Sequence, residues 1–295
     1  MANSIAYATA YLEMLDMIYK KESCTSDLEL NPLAVRFSAS NPKTIELKDF
    51  TFEGLGTYDR SAGYDEGDFD IAWTPYTLTR DRGKKFILDT LDSKEALTTI
   101  MEAAAEFTRT KVVPEIDAIR FSTMKTLCGV DAAADLTYDT ALAAIDAAIV
   151  VLDDAEVPQE GRVLYVSNEV YKLMKQSGEF FNTRISSQNN GVINREIMMF
   201  DNMKLVRVPK TRFYSEIDLS ATNGYSKTAV TGRDINFIIA HAGSVSAITN
   251  YVSPKIVEPG FNNNADAFIF GFRVFHDLII PTNKLSSVYI HTKTS

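Results

Sequence analysis

The sequence predicts an α+β fold drawn out by elements longer than one small domain needs. Three patterns carry that expectation: a two-armed β-hairpin between Thr44 and Leu88, a helical stretch from Ser93 to about Cys128, and a β-rich close from Ile235 onward. With 45% apolar residues in 295, the chain can bury one large core or two smaller ones.

At the start, Ile5, Tyr11, Leu12, Leu15, Ile18 and Tyr19 fall near one helical face, and the chain turns polar from Ser23 to Ser26. This reads as a short amphipathic helix on a detachable arm, or as a helix packed on the chain's own core. From Thr44 the period becomes two. Ile45 and Leu47 alternate, and Phe50 and Phe52 continue on the opposite phase, which predicts a bulge near Asp49. Polar residues from Asp59 to Asp68, with Gly63 and Gly67, form a loop tip; Phe69, Ile71 and Trp73 alternate on the return, ahead of Pro75, Tyr76 and Leu78. An arm of ~15 residues extended at ~3.3 Å per residue reaches ~50 Å. A bare two-stranded ribbon is marginal in water, so exposed apolar side chains on it need cover from another chain.

The strongest helix follows. Asp92 and Glu95 have capping-box spacing, Leu97, Ile100, Met101, Ala104 and Phe107 form one stripe, and Val112, Ile116, Ile119 and Leu127 prolong it. Pro114 lacks a backbone donor and crowds the preceding turn, which predicts a kink or a split there. At 1.5 Å per residue the whole stretch spans ~50 Å, enough for a spine. Beyond Gly129 come a helix over Ala141 to Leu152, a buried strand over Gly161 to Val166, and a third helix capped by Ser167 and ending near Gly178. A polar loop from Phe180 to Asn194 precedes strands at Glu196 to Phe200 and Lys204 to Val208; a second long loop runs from 209 to 234. Apolar alternation then marks Ile235 to His241, Val245 to Val257, Ala267 to Ile280 and Leu285 to His291, read as one antiparallel sheet beneath the spine.

Composition removes several function classes. Asp and Glu outnumber Lys and Arg 39 to 30, a net charge of -9, which opposes tight binding to phosphate backbones or anionic lipid. A container wall around packed DNA needs only weak contact and stays compatible with that charge. Cys24 and Cys128 stand far apart without CxxC spacing, so neither a disulfide framework nor a zinc site is indicated. Met1 to Lys21 lacks the pattern of a secretory signal and no apolar run approaches ~18 residues, so the expectation is a soluble chain that stays in the cell that made it.

Chemistry-bearing motifs are sparse. His241, His276 and His291 lie on or at the ends of strands, without HxH or HxxxH spacing, and read as structural. His276 and Asp277 are neighbours on a strand and point to opposite faces, with no GxSxG elbow beside them; a hydrolase using the pair is the rival of another class. Glu115 and Asp117, at i and i+2 on a helix, do not share a face, and read as capping and interface charges after the proline. The acidic cluster of Asp59, Asp65, Glu66, Asp68 and Asp70 lacks EF-hand spacing and reads as a solvated hairpin tip able to dock on a basic patch of an adjacent subunit. Phosphate-cradling GxxxxGK and GxGxxG motifs are missing, and no cofactor or metal is expected.

The residues Tyr76-Thr77-Leu78-Thr79-Arg80-Asp81-Arg82-Gly83, Phe86-Ile87-Leu88-Asp89 and Val112-Val113-Pro114-Glu115-Ile116-Asp117-Ala118-Ile119-Arg120, with the closing run Ala267-Phe268-Ile269-Phe270-Gly271-Phe272-Arg273-Val274-Phe275-His276-Asp277, resemble major capsid proteins of tailed phages infecting Gram-positive bacteria. The order of elements extends the resemblance over nearly the whole chain. It implies the Hong-Kong-97-type capsid fold: an N-terminal arm (1–43), an E-loop hairpin (44–90), a P-domain made of the spine helix (91–134) and terminal strands (243–295), and an A-domain (135–242). It further implies a non-enzymatic subunit that self-assembles through pentamers and hexamers into an icosahedral virion shell around double-stranded DNA, formed in the host bacterial cytoplasm. Implied partners are copies of itself, a scaffolding protein or a fused scaffold already removed, a portal, and a maturation protease or decoration protein, with no membrane. The hairpin tip, Asp59, Arg60, Tyr64, Asp65, Glu66 and Asp68, is the implied inter-subunit contact, and Pro114 the implied hinge of the spine. Some shells of this class are welded by a hairpin lysine; no lysine lies between Lys48 and Lys84, which argues for noncovalent contacts here. An encapsulin-like compartment is the rival within the same fold.

Overall fold

A computed structural model describes residues 22–29, 35–37, 43–58, 60–61, 64, 66–89, 96–177, 199–219, 224–257, 259–261 and 267–294. The amphipathic helix expected before residue 22 and the loop from Phe180 to Asn194 lie outside the described residues.

The ribbon comes first. Strands β1 (Val35–Phe37), β2 (Thr44–Phe52) and β3 (Phe69–Thr77) form an antiparallel sheet in the order β1-β2-β3. Register runs unbroken from Thr44↔Thr77 to Phe52↔Phe69, so the bulge expected near Asp49 does not form. The change of apolar phase has another cause: root and distal half of the ribbon are apolar on opposite faces. Pro75 is tolerated because β3 is an edge strand whose missing donor breaks no ladder bond.

The hairpin arm does not continue to Leu88 as the sequence pattern suggests. Leu78 is buried, and the backbone N–H and hydroxyl of Thr79 donate to Asp277 Oδ2 at 2.8 and 2.9 Å, which turns the chain out of the ribbon. Strand β4 (Arg80–Asp89) therefore belongs to a different sheet.

The spine is helix α1 (Ala96–Phe107), a π-helical turn (Thr108–Val112) and helix α2 (Val113–Leu127) in direct succession. Pro114 neither splits nor terminates it. The wider turn ahead of Pro114 makes room for the ring, and the hydroxyls of Thr108 and Thr110 donate back to the carbonyls of Ala104 (2.9 Å) and Glu106 (2.7 Å).

After β5 (Val130–Ala133), α3 (Thr140–Asp154) and β6 (Arg162–Ser167), Ser167 Oγ accepts from the Val170 N–H and opens α4 (Asn168–Gln176), as its sequence predicts. Strands β7 (Met199–Phe200) and β8 (Met203–Val208) follow. The segment from 209 to 234 holds short strands β9 (Ile217–Asp218) and β10 (Ser226–Lys227). The close comprises β11 (Ile235–His241), β12 (Ser246–Val257), β13 (Ala267–Ile279) and β14 (Val288–Thr292).

These last strands do not make one sheet. β12 and β13 pair with β4 in the order β12-β13-β4, whereas β11 and β14 enter a mixed sheet ordered β5-β14-β11-β6-β8-β7. The stretch 243–295 thus contributes to both. Burial explains the division. Residues of β6, β11 and β14 alternate between two cores: Val163, Tyr165, Ile238, Ala240, Val288 and Ile290 face Phe121 and Met124 of the spine, while Leu164, Val166, Phe237, Ile239 and Tyr289 face α3 and α4. A strand covered on both faces reads as an apolar run rather than as an alternation. The spine between Ala104 and Ile116 covers the other sheet, with Ala104, Val112 and Ile116 packed on Phe270, Phe272 and Val274. The spine therefore bridges both sheets.

Candidate subunit interface

At its root the ribbon packs Ile45, Leu47 and Tyr76 against Leu78, Phe275 and Ile279, on the face of the β12-β13-β4 sheet turned away from the spine. Cross-strand partners share a face, so the opposite side of the ribbon carries Phe50 with Ile71, Phe52 with Phe69, and Lys48 with Trp73. That side is bare: Phe50 is 48% exposed, Phe52 69%, Phe69 61%, Ile71 42% and Trp73 39%. The rings of Phe50, Phe52 and Phe69 stack in sequence with centroids 6.1 and 6.2 Å apart. Lys48 lies over Phe50 at 4.6 Å and Arg36 over Trp73 at 4.8 Å, so cations rim the strip. Half-exposed side chains of this size present on the order of 500 Å² of apolar surface, at the upper end of what a monomeric soluble protein leaves open.

Beyond the strip, the Glu53 carboxylate accepts from the Asp68 N–H at 3.2 Å and closes the base of the tip. Arg60, Tyr64, Glu66 and Asp68 are exposed there as the sequence predicts, together with Leu55 and Tyr58, whose ring meets Tyr64 edge-on at 5.0 Å. Asp59 and Asp65 lie outside the described residues.

The charges around Pro114 differ from the expectation. Glu115 pairs inside the chain with Arg82 at 2.6 Å. Asp117 is fully buried, not an interface charge: Oδ1 accepts from the hydroxyls of Ser23 and Thr25, both at 2.8 Å, and Oδ2 from the Cys24 N–H and Arg212 Nη1, both at 3.0 Å. Arg120, also fully buried, donates to Thr25 Oγ1 at 2.8 Å and pairs with Glu29. Residues 22–29 are thereby seated on the spine. The sequence did hold a signal, since Asp117, Phe121 and Met124 at i, i+4 and i+7 share one helical face. The same site raises the Cys24 thiol to about 12, through burial first and the Asp117 carboxylate second.

The histidines are built into the fold. His291 lies 3.0 Å from Asn236 Nδ2 and stacks on Phe237; His241 Nδ1 meets Ser244 Oγ at 2.9 Å. Asp277 is occupied by Thr79 and by the Leu278 N–H rather than by His276. The arrangement offers no acid–base pair at that position.

The architecture matches solved phage shells. The capsid of cyanophage P-SCSP1u aligns with a TM-score of 0.61 at 10% identity, covering 90% of this chain and 87% of that one. The mature capsid of bacteriophage PhiM1 aligns at 0.62 and 12% identity, covering 88% and 84%. The chain has the tailed-phage capsid fold. A virus-like particle from Pyrococcus furiosus also aligns, at 0.50 and 12% identity over 94% and 95% of the two chains. No protein-family model matches the sequence, and no curated protein is detectably similar to it.

Proposed function

We propose that this chain is a shell-building subunit that assembles with copies of itself into the closed icosahedral head of a tailed phage, enclosing double-stranded DNA, and that its role is structural rather than enzymatic. The observation that carries the reading is the two-faced ribbon, whose root is satisfied by its own body while its distal half holds an aromatic strip that none of the described residues covers. Burying ~500 Å² of apolar surface at ~25 cal/mol/Å² contributes roughly 12 kcal/mol before ordering costs, enough to hold a neighbour. Obligate interfaces of this kind bury ~2,000 to 5,000 Å², and several weak neighbours per subunit add by avidity.

In this reading, residues 1–43 form the arm, 44–90 the E-loop with its last strand β4 lent to the β12-β13-β4 sheet, 91–134 the spine, 135–242 the A-domain and 243–295 the terminal strands, with β5 and β14 lent to the A-domain sheet. Pentamers and hexamers form through the ribbon and the tip residues Asp59, Arg60, Tyr64, Asp65, Glu66 and Asp68, and Pro114 is the hinge of the spine. A scaffolding protein, a portal and a protease or decoration protein are the partners, assembly takes place in the host cytoplasm, and the acidic chain touches its DNA only weakly. The likeness to the Pyrococcus particle supports a second reading, a compartment for cargo protein, and particles containing protein instead of nucleic acid would select it.

Deleting residues 58–70 tests the first reading. A folded monomer that forms no shells is the expected product; closed particles of that variant in electron micrographs would overturn it.

A further inference from the structure

The ribbon joins the body through two residues. Strand β3 ends at Thr77 and β4 begins at Arg80, so only Leu78 and Thr79 lie between a strand of one sheet and a strand of another. The Leu78 N–H still donates to the Lys43 carbonyl, at 2.9 Å, across the base of the ribbon, whereas the next N–H, that of Thr79, donates to Asp277 on β13. The chain leaves the ribbon and enters the body within one peptide step.

Apolar packing does not by itself set the angle of that step. Ile45, Leu47 and Tyr76 meet Leu78, Phe275 and Ile279 at the root, and attraction of this kind has no direction: it holds the ribbon down without aiming it. Hydrogen bonds do have a direction. The Asp277 carboxylate is 8% exposed and pairs with no Lys or Arg among the described residues, yet both of its oxygens are engaged. Oδ2 accepts from the N–H and the hydroxyl of Thr79, and Oδ1 accepts from the Leu278 N–H at 2.9 Å, which fixes the carboxylate against its own strand. Asp277 stands one residue beyond His276↔Arg80, the last pair of the β13–β4 ladder. A desolvated carboxylate without a cation is costly, and an apolar residue here would pack beside Phe275 and Ile279 on the same face of β13. That residue could not fix the direction of the Thr79 amide.

We propose that Asp277 is the positioning residue of the ribbon, and that its hold on Thr79 sets the angle at which the aromatic strip is presented. The ribbon makes a long lever. Over the nine residues of β3, ~30 Å at ~3.3 Å per residue, a swing of ~10° displaces Phe69 by ~5 Å. A shift of that size takes Phe50, Phe52 and Phe69 out of register with any surface that fits them. The consequence for assembly rests on the shell-subunit reading; the positioning does not.

Trp73, the only tryptophan in the chain, lies on β3 and reports ribbon motion without a label. In the unassembled subunit, Asp277→Asn keeps the shape but sets an amide against one of the donors. It raises the amplitude of the fast Trp73 anisotropy decay and speeds exchange of the Thr79 amide roughly tenfold or more, as the loss of one charge-assisted hydrogen bond requires. The Leu164 and Ile238 amides in the core keep the parent rate. Thr79→Val, which loses only the hydroxyl bond, moves Trp73 in the same direction, and Thr79→Ser, which keeps both donors, restores the parent decay. Parent-like Trp73 decay and Thr79 exchange in Asp277→Asn overturn the proposal. So does faster exchange spread through the core, which makes Asp277 a residue of general stability. If Asp277→Asn does not fold, Thr79→Val decides, and a Trp73 decay equal to that of Thr79→Ser overturns the proposal. A parent chain that forms no particles refutes the shell reading and leaves the Trp73 result standing, so the two failures are told apart.

Discussion

Replacing Asp117 with Ala removes the group that ties residues 22–29 to the spine, and its cost can be worked from the contacts. The carboxylate is fully buried and accepts from Ser23, Thr25, Cys24 and Arg212 at 2.8 to 3.0 Å. Breaking a buried ion pair by deleting one partner costs ~3 to 5 kcal/mol, because the remaining charge stays desolvated. The orphaned hydroxyl and amide donors add about 1 kcal/mol each where water does not reach them. Sharing of one site makes these contributions less than additive, so the expected loss is about 5 kcal/mol. Asp117→Asn keeps the shape and one acceptor oxygen but turns an amide toward donors, and should cost about half as much. Urea denaturation of the unassembled subunit measures the loss, and hydrogen exchange localises it: the Cys24 and Leu28 amides, bonded to Asp117 Oδ2 and the Thr25 carbonyl, should lose protection first. A loss below about 1 kcal/mol with those amides still protected would refute the anchoring argument.

Two further outcomes concern His276 and Pro114. Burial, then Arg120, Arg80 and Arg82, holds His276 down at about 3, against an ordinary 6.5. Its folded value lies below its unfolded one, so the unfolded chain takes up the proton first: the contribution is complete above pH 6.5 and is lost as pH falls toward 3, at ~1.4 kcal/mol per pH unit and on the order of 5 kcal/mol in all. His276→Phe should flatten stability between pH 6 and 4 by that slope, and an unchanged acid limb in denaturation curves would count against the assignment. Pro114→Ala restores an amide donor where the π-helical turn now accommodates a ring, which favours regular α-helix through 108–112 and should disturb particle size or expansion; particles of normal diameter that expand normally would remove Pro114 from the hinge role.

What the sequence made legible divides along a physical line. Ribbon, spine and the Ser167 cap are local patterns, written in residues two, three or four apart, and their existence could be read directly. The errors arose where one local pattern had two physical causes. The phase change between Leu47 and Phe50 looked like a bulge because a bulge and a change of buried face leave the same mark on a strand; only the unbroken pairing with β3 separates them. Uninterrupted apolar runs in β6, β11 and β14 fit one sheet as well as another, since a strand buried on both faces gives no alternation to orient it.

The Asp117 site shows the other boundary. Its donors come from residues 23–25, more than ninety positions earlier in the chain, and from Arg212, as far beyond it. No window of the sequence holds both sides of the pairing. What a window does hold is a carboxylate on the helical face shared by Phe121 and Met124, and a buried charge must find partners or shift to neutral. A charge on a core-facing stripe is therefore a prediction of an unseen long-range partner, and here that partner is the stem of the very segment that the sequence offered as a detachable arm. If residues before 22 do swing between subunits, they swing from a fixed root on the spine, whose π-helical turn lies one turn away from Asp117. Bending the spine at Pro114 would then shift that root relative to the first half of the spine.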